Sequence, residues 1–237
     1  MYRDKLEESV SKRIIVAIDG PAGAGKSTLA KRVAARLGFV YIDTGAMYRA
    51  VALWAQRSGI GWDDPLRLEQ LALHADITLT PDNHVLLNGE DVSQDIRLPA
   101  ISQGASIVSA VPGVRRALVA LQQKLGESAS AVMEGRDIGT VVFPNAEVKI
   151  FLDASPRTRA ERRVKDLAAR GVHADLDSVI REMEERDLRD STRPDSPLRQ
   201  APDAVFLDSS GLTESEVEEA LLRIVRERTS NGKELPR

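Results

Sequence analysis

Residues 20–27 read Gly20-Pro21-Ala22-Gly23-Ala24-Gly25-Lys26-Ser27 and fit the pattern G-x-x-x-x-G-K-[ST]. The apolar run Ile14–Ile18 precedes this phosphate loop and Thr28–Val33 follows it, which predicts a strand, a glycine-rich turn and a helix. Glycines let the backbone turn successive N–H groups inward at the positive end of a helix, where they form a nest for anions. The pattern predicts a polyphosphate site in which Lys26 reaches the β- and γ-phosphates and Ser27 ligates Mg²⁺.

The composition of the chain limits the classes of function. The 237 residues carry 33 basic and 36 acidic side chains, so the charge of −3 indicates neither a nucleic-acid nor a membrane surface. Without cysteine and with three histidines, disulfides are excluded and a zinc site is disfavoured. No apolar run approaches the roughly 18 residues of a membrane span, and Met1–Arg13 is too charged for a signal peptide. We expect a soluble, cytoplasmic protein whose charged residues at Tyr2–Lys12 form a short leader.

Strand and helix patterns alternate along most of the chain. The helix after the phosphate loop is expected to end at Gly38, and a β-prone segment follows, which makes one right-handed βαβ unit. A capping box at Thr213–Glu216 begins the last helix, and the polar tail from Thr229 is expected to be disordered. We predict an α/β fold with a five-stranded parallel sheet flanked by helices, its later strands at Phe39–Ile42, Ala131–Glu134, Val148–Asp153 and Ala204–Asp208.

An antiparallel segment interrupts this alternation. Short β-prone runs at Ile77–Thr80, His84–Leu87 and Glu90–Ser93 are separated by turn signals, the second of which is Asn88-Gly89. They predict a small antiparallel sheet within an insert over residues 43–103. His74 and His84 lie in this region, and we interpret both histidines as surface residues.

Two predicted strand ends carry polar residues, at the edge where open α/β sheets bind their ligands. Asp43–Arg49 follows the second strand; Thr44 is a suitable N-cap, so Tyr48 and Arg49 lie either on a surface helix or beside a ligand. Glu134–Thr140 follows the third strand. Neighbouring side chains in sequence do not face each other, so a functional site is favoured there over a simple Arg136–Asp137 pair.

Two further groups of polar residues are open to more than one interpretation. Ser106 and Arg115 flank a predicted break at Pro112-Gly113 between two helical patterns, and as isolated polar residues they favour surface or capping roles. The segment from Arg157 to Arg199 holds eleven basic and ten acidic residues, which indicates a mobile two-helix flap divided at Gly171. Within it Arg186, Asp190 and Arg193 share one helical face, either as an exposed ion-pair ladder or as ligand-binding groups.

Five stretches together resemble bacterial cytidylate kinases: Gly20–Ser27, Asp43–Arg49, Glu134–Pro144, Lys149–Ala154 and Glu185–Asp190. The first is shared widely, whereas the other four are specific to this family, and the resemblance covers about residues 13–227. It implies a monomeric kinase that moves the γ-phosphoryl group of ATP to CMP or dCMP with Mg²⁺. It also implies a P-loop NTPase core (13–42, 104–156 and 200–229), a monophosphate-binding insert (43–103) and a lid (157–199).

The resemblance also implies roles for single residues. Ser106, Arg115 and Asp137 read cytosine, Asp190 and Arg186 bind the sugar, and Tyr48 walls the acceptor site. The family often has serine at Thr44, which keeps the hydroxyl contact, and glycine at Ser27, so the Mg²⁺ role of Ser27 rests on the loop pattern alone. Arg49, Arg136 and Arg193 bind the acceptor phosphate; Lys26, Arg136 and Arg193 are catalytic; ATP is bound by Gly20, Pro21, Ala22, Gly23, Ala24, Gly25, Lys26, Ser27 and Thr28.

Both lines of reasoning predict catalysis by alignment and charge neutralisation, without a general base, because the acceptor phosphate is already anionic. Three alternatives remain. A shikimate or gluconate kinase needs neither the antiparallel insert nor the set Ser106, Arg115 and Asp137. A nucleotide switch protein needs an N-K-x-D motif, which the sequence lacks, and a UMP-preferring kinase is the nearest rival.

Overall fold

The computed structural model describes residues 13–230, so the predicted leader at Tyr2–Lys12 lies outside the described residues. Eight strands form in this range: β1 Ile15–Asp19, β2 Val40–Asp43, β3 Ile77–Leu79, β4 Val85–Leu87, β5 Glu90–Asp91, β6 Ala131–Gly135, β7 Val148–Asp153 and β8 Val205–Asp208. The α-helices are α1 Lys26–Leu37, α2 Thr44–Arg57, α3 Pro65–His74, α4 Pro99–Val108, α5 Pro112–Gly126, α6 Pro156–Ala168, α7 Leu176–Thr192 and α8 Glu214–Ser230.

Five strands form one parallel sheet in the order β2-β6-β1-β7-β8, which confirms the predicted fold class. The central strand β1 is buried along its whole length, as its unbroken apolar run predicts. Successive side chains alternate between the two faces. Val16 and Ile18 pack with α1 and α8, whereas Ile15 and Ala17 pack with the turn that follows β6. The phosphate loop therefore leaves the middle of a rigid, doubly covered sheet.

The predicted small antiparallel sheet is present, with three strands in the order β3-β4-β5. The Asn88-Gly89 turn has φ values of 51° and 83°, the left-handed conformation that a tight hairpin turn requires. This sheet shares one apolar cluster with α2, α3, α4 and α5. His74 and His84 are exposed, which confirms the surface interpretation.

Three local predictions are wrong. Thr44 is not the N-cap of α2; Asp43 is, because its carboxylate accepts a hydrogen bond from the Ala46 N–H at 2.8 Å. Pro112 and Gly113 do not form the break between α4 and α5 but begin α5, since proline suits the first turn of a helix. Thr229 is helical, and its hydroxyl donates to the Val225 carbonyl oxygen at 2.8 Å. The tail beyond Ser230 lies outside the described residues.

Within residues 13–230 no single helix is long and apolar enough to cross a membrane. Only α4 and α5, bent by 100° at the break between them, reach that length and composition together.

Candidate active site

The phosphate loop has the backbone geometry of an anion nest. Gly23 and Gly25 take φ values of 76° and 91°, a left-handed region that side chains other than glycine rarely adopt. Gly25 is the N-cap residue of α1 and makes no side-chain cap, so the first N–H groups of the helix stay available for an anion. The loop ends at the positive pole of a helix, as its sequence predicts.

Lys26 is only 6% exposed and lies inside this loop. Its ammonium group donates to the Pro21 carbonyl oxygen at 2.6 Å. Burial lowers the pKa of Lys26, and the nearby positive charges of Arg136 and Arg186 lower it further. A buried lysine among arginines is stabilised by a bound polyanion, which is the chemistry of a triphosphate site.

Glu134 is the penultimate residue of β6, the strand that pairs with β1 ahead of the phosphate loop, and it is 4% exposed. Its carboxylate accepts a hydrogen bond from the Tyr41 hydroxyl at 2.7 Å, and Ser27 lines the same cleft as Glu134. Burial raises the pKa of Glu134, and the neighbouring charge of Asp43 raises it further. Sequence reasoning gave Glu134 no role of its own. Its position at the end of the strand next to β1 is the signal that could have found it.

The same corner of the structure fits a Mg²⁺ ion that is shared with phosphates. Among residues 13–230 there is no group of three or more histidine, cysteine or carboxylate side chains that could hold a metal by itself. Mg²⁺ usually keeps several waters and binds one or two protein oxygens together with substrate phosphates. The Ser27 hydroxyl and the Glu134 carboxylate supply such a pair beside the nest.

Asp19, the last residue of β1, was also missed. Its carboxylate accepts hydrogen bonds from the N–H groups of Ile138 and Gly139, both at 2.8 Å. Burial raises the pKa of Asp19 to about 6, although these two hydrogen bonds lower it. Asp19 thereby joins the strand before the phosphate loop to the segment that carries Arg136 and Asp137.

The predicted base-reading residues meet in the interior. Ser106, Arg115 and Asp137 are 2%, 3% and 4% exposed, so the surface interpretation of Ser106 and Arg115 is wrong. Arg115 donates to the Ser109 carbonyl oxygen at 3.2 Å and to the Asp137 carboxylate. It also lies over the Tyr48 ring, 5.4 Å from its centroid. Ser106 lies on α4 and Arg115 on α5, and these two helices belong to one apolar cluster.

The helix α7 adds Asp190 to this cluster. Its carboxylate accepts a hydrogen bond from Arg136 Nε at 3.0 Å and lies 3.5 Å from the Ser106 hydroxyl. Arg186 Nε lies 3.9 Å from the same carboxylate, and burial together with Arg136 lowers the pKa of Arg186 to about 10. A third missed residue, Arg189, donates to the Ser106 hydroxyl at 3.1 Å.

Arg193 reaches the cluster by another route than a helical face. The helix α7 ends at Thr192, and Arg193 has extended backbone angles of φ −60° and ψ 142°. The predicted helical spacing is therefore wrong for Arg193, because Pro194 disfavours a helical conformation at the residue before it. Its side chain is 7% exposed and its guanidinium lies 4.0 Å from the Asp137 carboxylate. The exposed-ladder alternative does not hold for Asp190 and Arg193, because both are buried.

Near the other strand end, Arg49 pairs with Asp43 at 2.8 Å and is half-buried. Thr44 is 3% exposed and donates to the Glu134 carbonyl oxygen at 2.7 Å, which ties the end of β2 to the end of β6. Tyr48 is also buried, so the surface-helix interpretation of Asp43–Arg49 is wrong.

A single cleft of about 810 Å³ joins these groups, and we call it the central cleft. Gly20, Pro21 and Ala24 do not line it. The other residues predicted for the two substrates do: Ala22, Gly23, Gly25, Lys26, Ser27, Thr28, Thr44, Tyr48, Arg49, Ser106, Arg115, Arg136, Asp137, Arg186, Asp190 and Arg193.

Several buried polar atoms at this cleft have no hydrogen-bond partner within the described part of the chain: Tyr48 Oη, Arg49 Nε, Arg115 Nε, Arg186 Nε and Arg193 Nη2. Buried polar groups are normally satisfied, and leaving one unpaired costs about 1–3 kcal/mol. Such a concentration of unpaired donors is typical of a site that is completed by a polar ligand.

Comparison with known proteins agrees with this geometry. A model of the family described as cytidylate kinase matches residues 16–227. The chain is 58% identical to the cytidylate kinase of Solibacter usitatus (strain Ellin6076) over 231 residues, which cover 97% of this chain and 99% of the relative. It is 53% identical to the cytidylate kinase of Geobacter sp. (strain M21), covering 92% and 95%. It is 47% identical to that of Caldanaerobacter subterraneus subsp. tengcongensis, covering 93% and 98%.

The family model matches residues 16–227, and the three relatives are 47% to 58% identical to the chain. The protein belongs to the cytidylate kinase family.

Proposed function

We propose that the protein transfers the γ-phosphoryl group of ATP to CMP or dCMP, giving ADP and CDP or dCDP. One observation carries the proposal: a single cleft connects the phosphate loop with the buried set Ser106, Arg115 and Asp137. The loop suits a triphosphate donor, and the buried set offers both hydrogen-bond donors and an acceptor to a flat, polar base. Shikimate and gluconate carry a carboxylate and hydroxyl groups but no flat base with an amino donor, so a kinase for either acid does not need this set.

On the donor side, the backbone N–H groups of the phosphate loop and the Lys26 ammonium hold the β- and γ-phosphates of ATP. The residues assigned to ATP are Gly20 to Thr28, where Gly20, Pro21 and Ala24 shape the loop from outside the cleft. Ser27 and Glu134 are the protein ligands that we assign to Mg²⁺. When bound there, Mg²⁺ neutralises charge on the transferred phosphoryl group.

On the acceptor side, the Asp137 carboxylate accepts a hydrogen bond from the amino group of cytosine, while Arg115 and Ser106 donate to its ring nitrogen and carbonyl oxygen. Asp190 and Arg186 bind the sugar, with Arg186 Nε among the unpaired donors. The acceptor phosphate is held by Arg49, Arg136 and Arg193. Tyr48 walls the site beneath Arg115, and Thr44 fixes the two strand ends below it.

The chemistry that follows is positioning and charge neutralisation. Phosphoryl transfer requires an in-line approach of the acceptor oxygen and stabilisation of charge on the equatorial oxygens. Lys26, Arg136 and Arg193 supply fixed positive charges along that path, and we assign them the catalytic roles. The acceptor phosphate is already anionic, so the mechanism needs no general base.

We propose the predicted division into a core (13–42, 104–156 and 200–229), an insert (43–103) and a lid (157–199). In it, α6 and α7 close over the cleft when both substrates are bound and so exclude water. The lid has its own small apolar cluster, which includes Leu167, Val179 and Met183. We further propose that the protein is a cytoplasmic monomer that binds no nucleic-acid polymer and no membrane.

An ATP-dependent coupled assay tests the proposed function on a panel of acceptors: CMP, dCMP, UMP, AMP, GMP, shikimate and gluconate. We expect CMP and dCMP to be phosphorylated with a kcat/KM at least about tenfold above that of UMP, and the purines and the two acids to be inert. Equal rates with UMP and CMP support the UMP-preferring alternative. Activity on shikimate or gluconate alone refutes the proposal.

A further inference from the structure

Two arginines of α6 contact the phosphate loop from the side of the lid. Arg159 is 5% exposed, and its Nη1 donates to the Ala22 carbonyl oxygen at 3.0 Å. Arg162 lies three residues further along the same face of the helix, and its Nη1 donates to the Ala24 carbonyl oxygen at 3.3 Å. The two side chains thus hold alternate peptide groups of the loop.

The planarity of the peptide bond gives these contacts a consequence for anion binding. The described residues contain no cis peptide bond, and in a trans peptide the carbonyl oxygen and the next N–H point in opposite directions. A carbonyl of Ala22 that faces Arg159 therefore turns the Gly23 N–H away from the lid helix. Arg162 does the same to the Gly25 N–H through Ala24. These two N–H groups belong to the two glycines with left-handed φ values.

Arg159 is itself held in place by four oxygen atoms. Besides Ala22 it donates to the Ala154 carbonyl oxygen at 3.0 Å, and it lies 2.6 Å from the Asp187 carboxylate and 3.8 Å from that of Asp153. Asp187 belongs to α7, the second helix of the lid. The stem of Arg159 also packs closely against Gly23. A Cβ atom placed on Gly23 would lie 3.1 Å from Arg159 Cβ and 2.7 Å from Met183 Cε.

We propose that Arg159 is a positioning residue for the phosphoryl donor: it sets the orientation of the Gly23 N–H by holding the Ala22 carbonyl, and it links that orientation to α7 through Asp187. Arg162 supports the Gly25 N–H in the same way. Neither arginine needs to touch a phosphate for this role. Because these arginines orient the N–H groups of the nest from outside the loop, a substitution of Arg159 should lower the affinity for ATP more than the affinity for CMP.

The proposal rests on the proposed function only for the identity of the donor. Its test uses Arg159→Met, which keeps the stem over Gly23 and removes the hydrogen-bond donors, alone and combined with Asp187→Asn. Calorimetry measures the dissociation constants of a non-hydrolysable ATP analogue without CMP, and of CMP without ATP. We expect the analogue to bind at least tenfold more weakly to Arg159→Met and CMP to bind within twofold of the parent protein.

Two further variants separate positioning from general structural support. Arg159→Lys retains the charge but cannot span Ala22 and Asp187 together, so we expect it to restore only part of the analogue affinity. Arg157→Met is the matched control, because Arg157 is exposed and forms its ion pair with Glu161 of its own helix at 3.0 Å. We expect no change in either dissociation constant for this control.

Glycine-labelled protein gives a readout that does not depend on binding. The Gly23 amide resonance should shift or broaden in Arg159→Met and remain unchanged in Arg157→Met. Two results would overturn the proposal. In the first, a folded Arg159→Met protein binds the ATP analogue within twofold of the parent protein. In the second, the variant loses affinity for the analogue and for CMP by the same factor. If Arg159→Met does not fold, Asp187→Asn decides by the same measurements, with an expected loss of about threefold. Binding of the ATP analogue without phosphorylation of CMP refutes the proposed function and leaves this inference intact.

Discussion

Arg115 donates a hydrogen bond to the carboxylate of Asp137, and both side chains are almost completely buried below the central cleft. Burying an ion pair costs desolvation energy that the pairing only partly repays, so such a pair is weak evidence for stability. Arg193 and the Tyr48 ring lie beside the pair and restrict it further. Under the proposed function, this arrangement orients a donor and an acceptor for the base before CMP binds.

Asp137→Asn should weaken the choice of cytosine over uracil. The amide can donate to the uracil carbonyl, whereas the carboxylate repels it, so the preference for CMP over UMP in kcat/KM should fall by about tenfold to a few hundredfold. Arg115→Met should reduce it as well, and it should also lower stability because it leaves Asp137 buried without its partner. Coupled assays with both nucleotides measure the ratio. An unchanged ratio in folded variants contradicts the assignment of these residues to the base.

Lys26→Ala should reduce turnover on the order of 10³-fold or more, because it removes a fixed charge that stabilises the transferred phosphoryl group. The fold should persist, since the sheet rather than Lys26 holds the core together. Circular dichroism and steady-state kinetics check the two statements separately. Lys31→Ala, an exposed position on the same helix, is the control and should leave turnover unchanged.

Glu134→Gln should raise the concentration of Mg²⁺ that gives half-maximal activity by at least about tenfold, because an amide oxygen is a weaker ligand than a carboxylate. A titration of Mg²⁺ at fixed ATP and CMP measures this value. Glu161→Gln removes an exposed carboxylate of α6 and should leave the titration unchanged. Coincident curves for Glu134→Gln and the parent protein would remove Glu134 from the metal site.

Asp19 should make stability fall as pH rises through about 6. Its folded pKa lies above its unfolded value, so the folded protein binds more protons between pH 4 and 6, and the stabilisation present at low pH is lost as the buried carboxyl ionises. A shift of two pKa units corresponds to about 3 kcal/mol in the free energy of unfolding. Lys26 and Asp137 face Asp19 and act on it in opposite directions.

Urea unfolding of the parent protein and Asp19→Asn at pH 4 and pH 7.5 measures this contribution, because the other titrating groups cancel in the difference between the two proteins. The stability of the parent relative to Asp19→Asn should fall by about 3 kcal/mol from the lower pH to the higher. A difference that does not change with pH refutes the prediction.

The segment 157–199 should be cut by protease in the free protein and protected when an ATP analogue and CMP are bound together. Limited proteolysis followed by mass spectrometry locates the cuts. Either ligand alone should protect less than the two together. Equal cleavage rates with and without both ligands would argue against a closing lid.

The sheet and the phosphate loop could be predicted because their signals are local. The apolar run before Gly20 and the glycine spacing within the loop fix a strand, a turn and a helix without help from the rest of the chain. The hairpin at Asn88-Gly89 follows for the same reason, since few residues tolerate a left-handed backbone.

Residues whose role depends on distant partners could not be predicted in this way. Ser106 and Arg115 appear as isolated polar residues in helical patterns, and nothing near them in sequence indicates that their helices belong to one apolar cluster. Arg159 appears in a run of mixed charge, which is typical of an exposed helix, yet its partners include a backbone oxygen of the phosphate loop and an aspartate on another helix. The resemblance to cytidylate kinases supplied Ser106 and Arg115 but not Arg159.

Remote parts of the chain supply the cluster formed by Ser106, Arg115, Arg136, Asp137 and Asp190. Ser106 and Asp190 are 84 residues apart in sequence, Arg136 and Asp190 are 54 apart, and Arg115 and Asp137 are 22 apart. Contacts over such separations form late, because closing long loops costs entropy before any contact repays it. A refolding chain should therefore regain the signal of its local helices before it regains CMP binding, because activity requires both the long-range strand pairings of the sheet and the docking of α7.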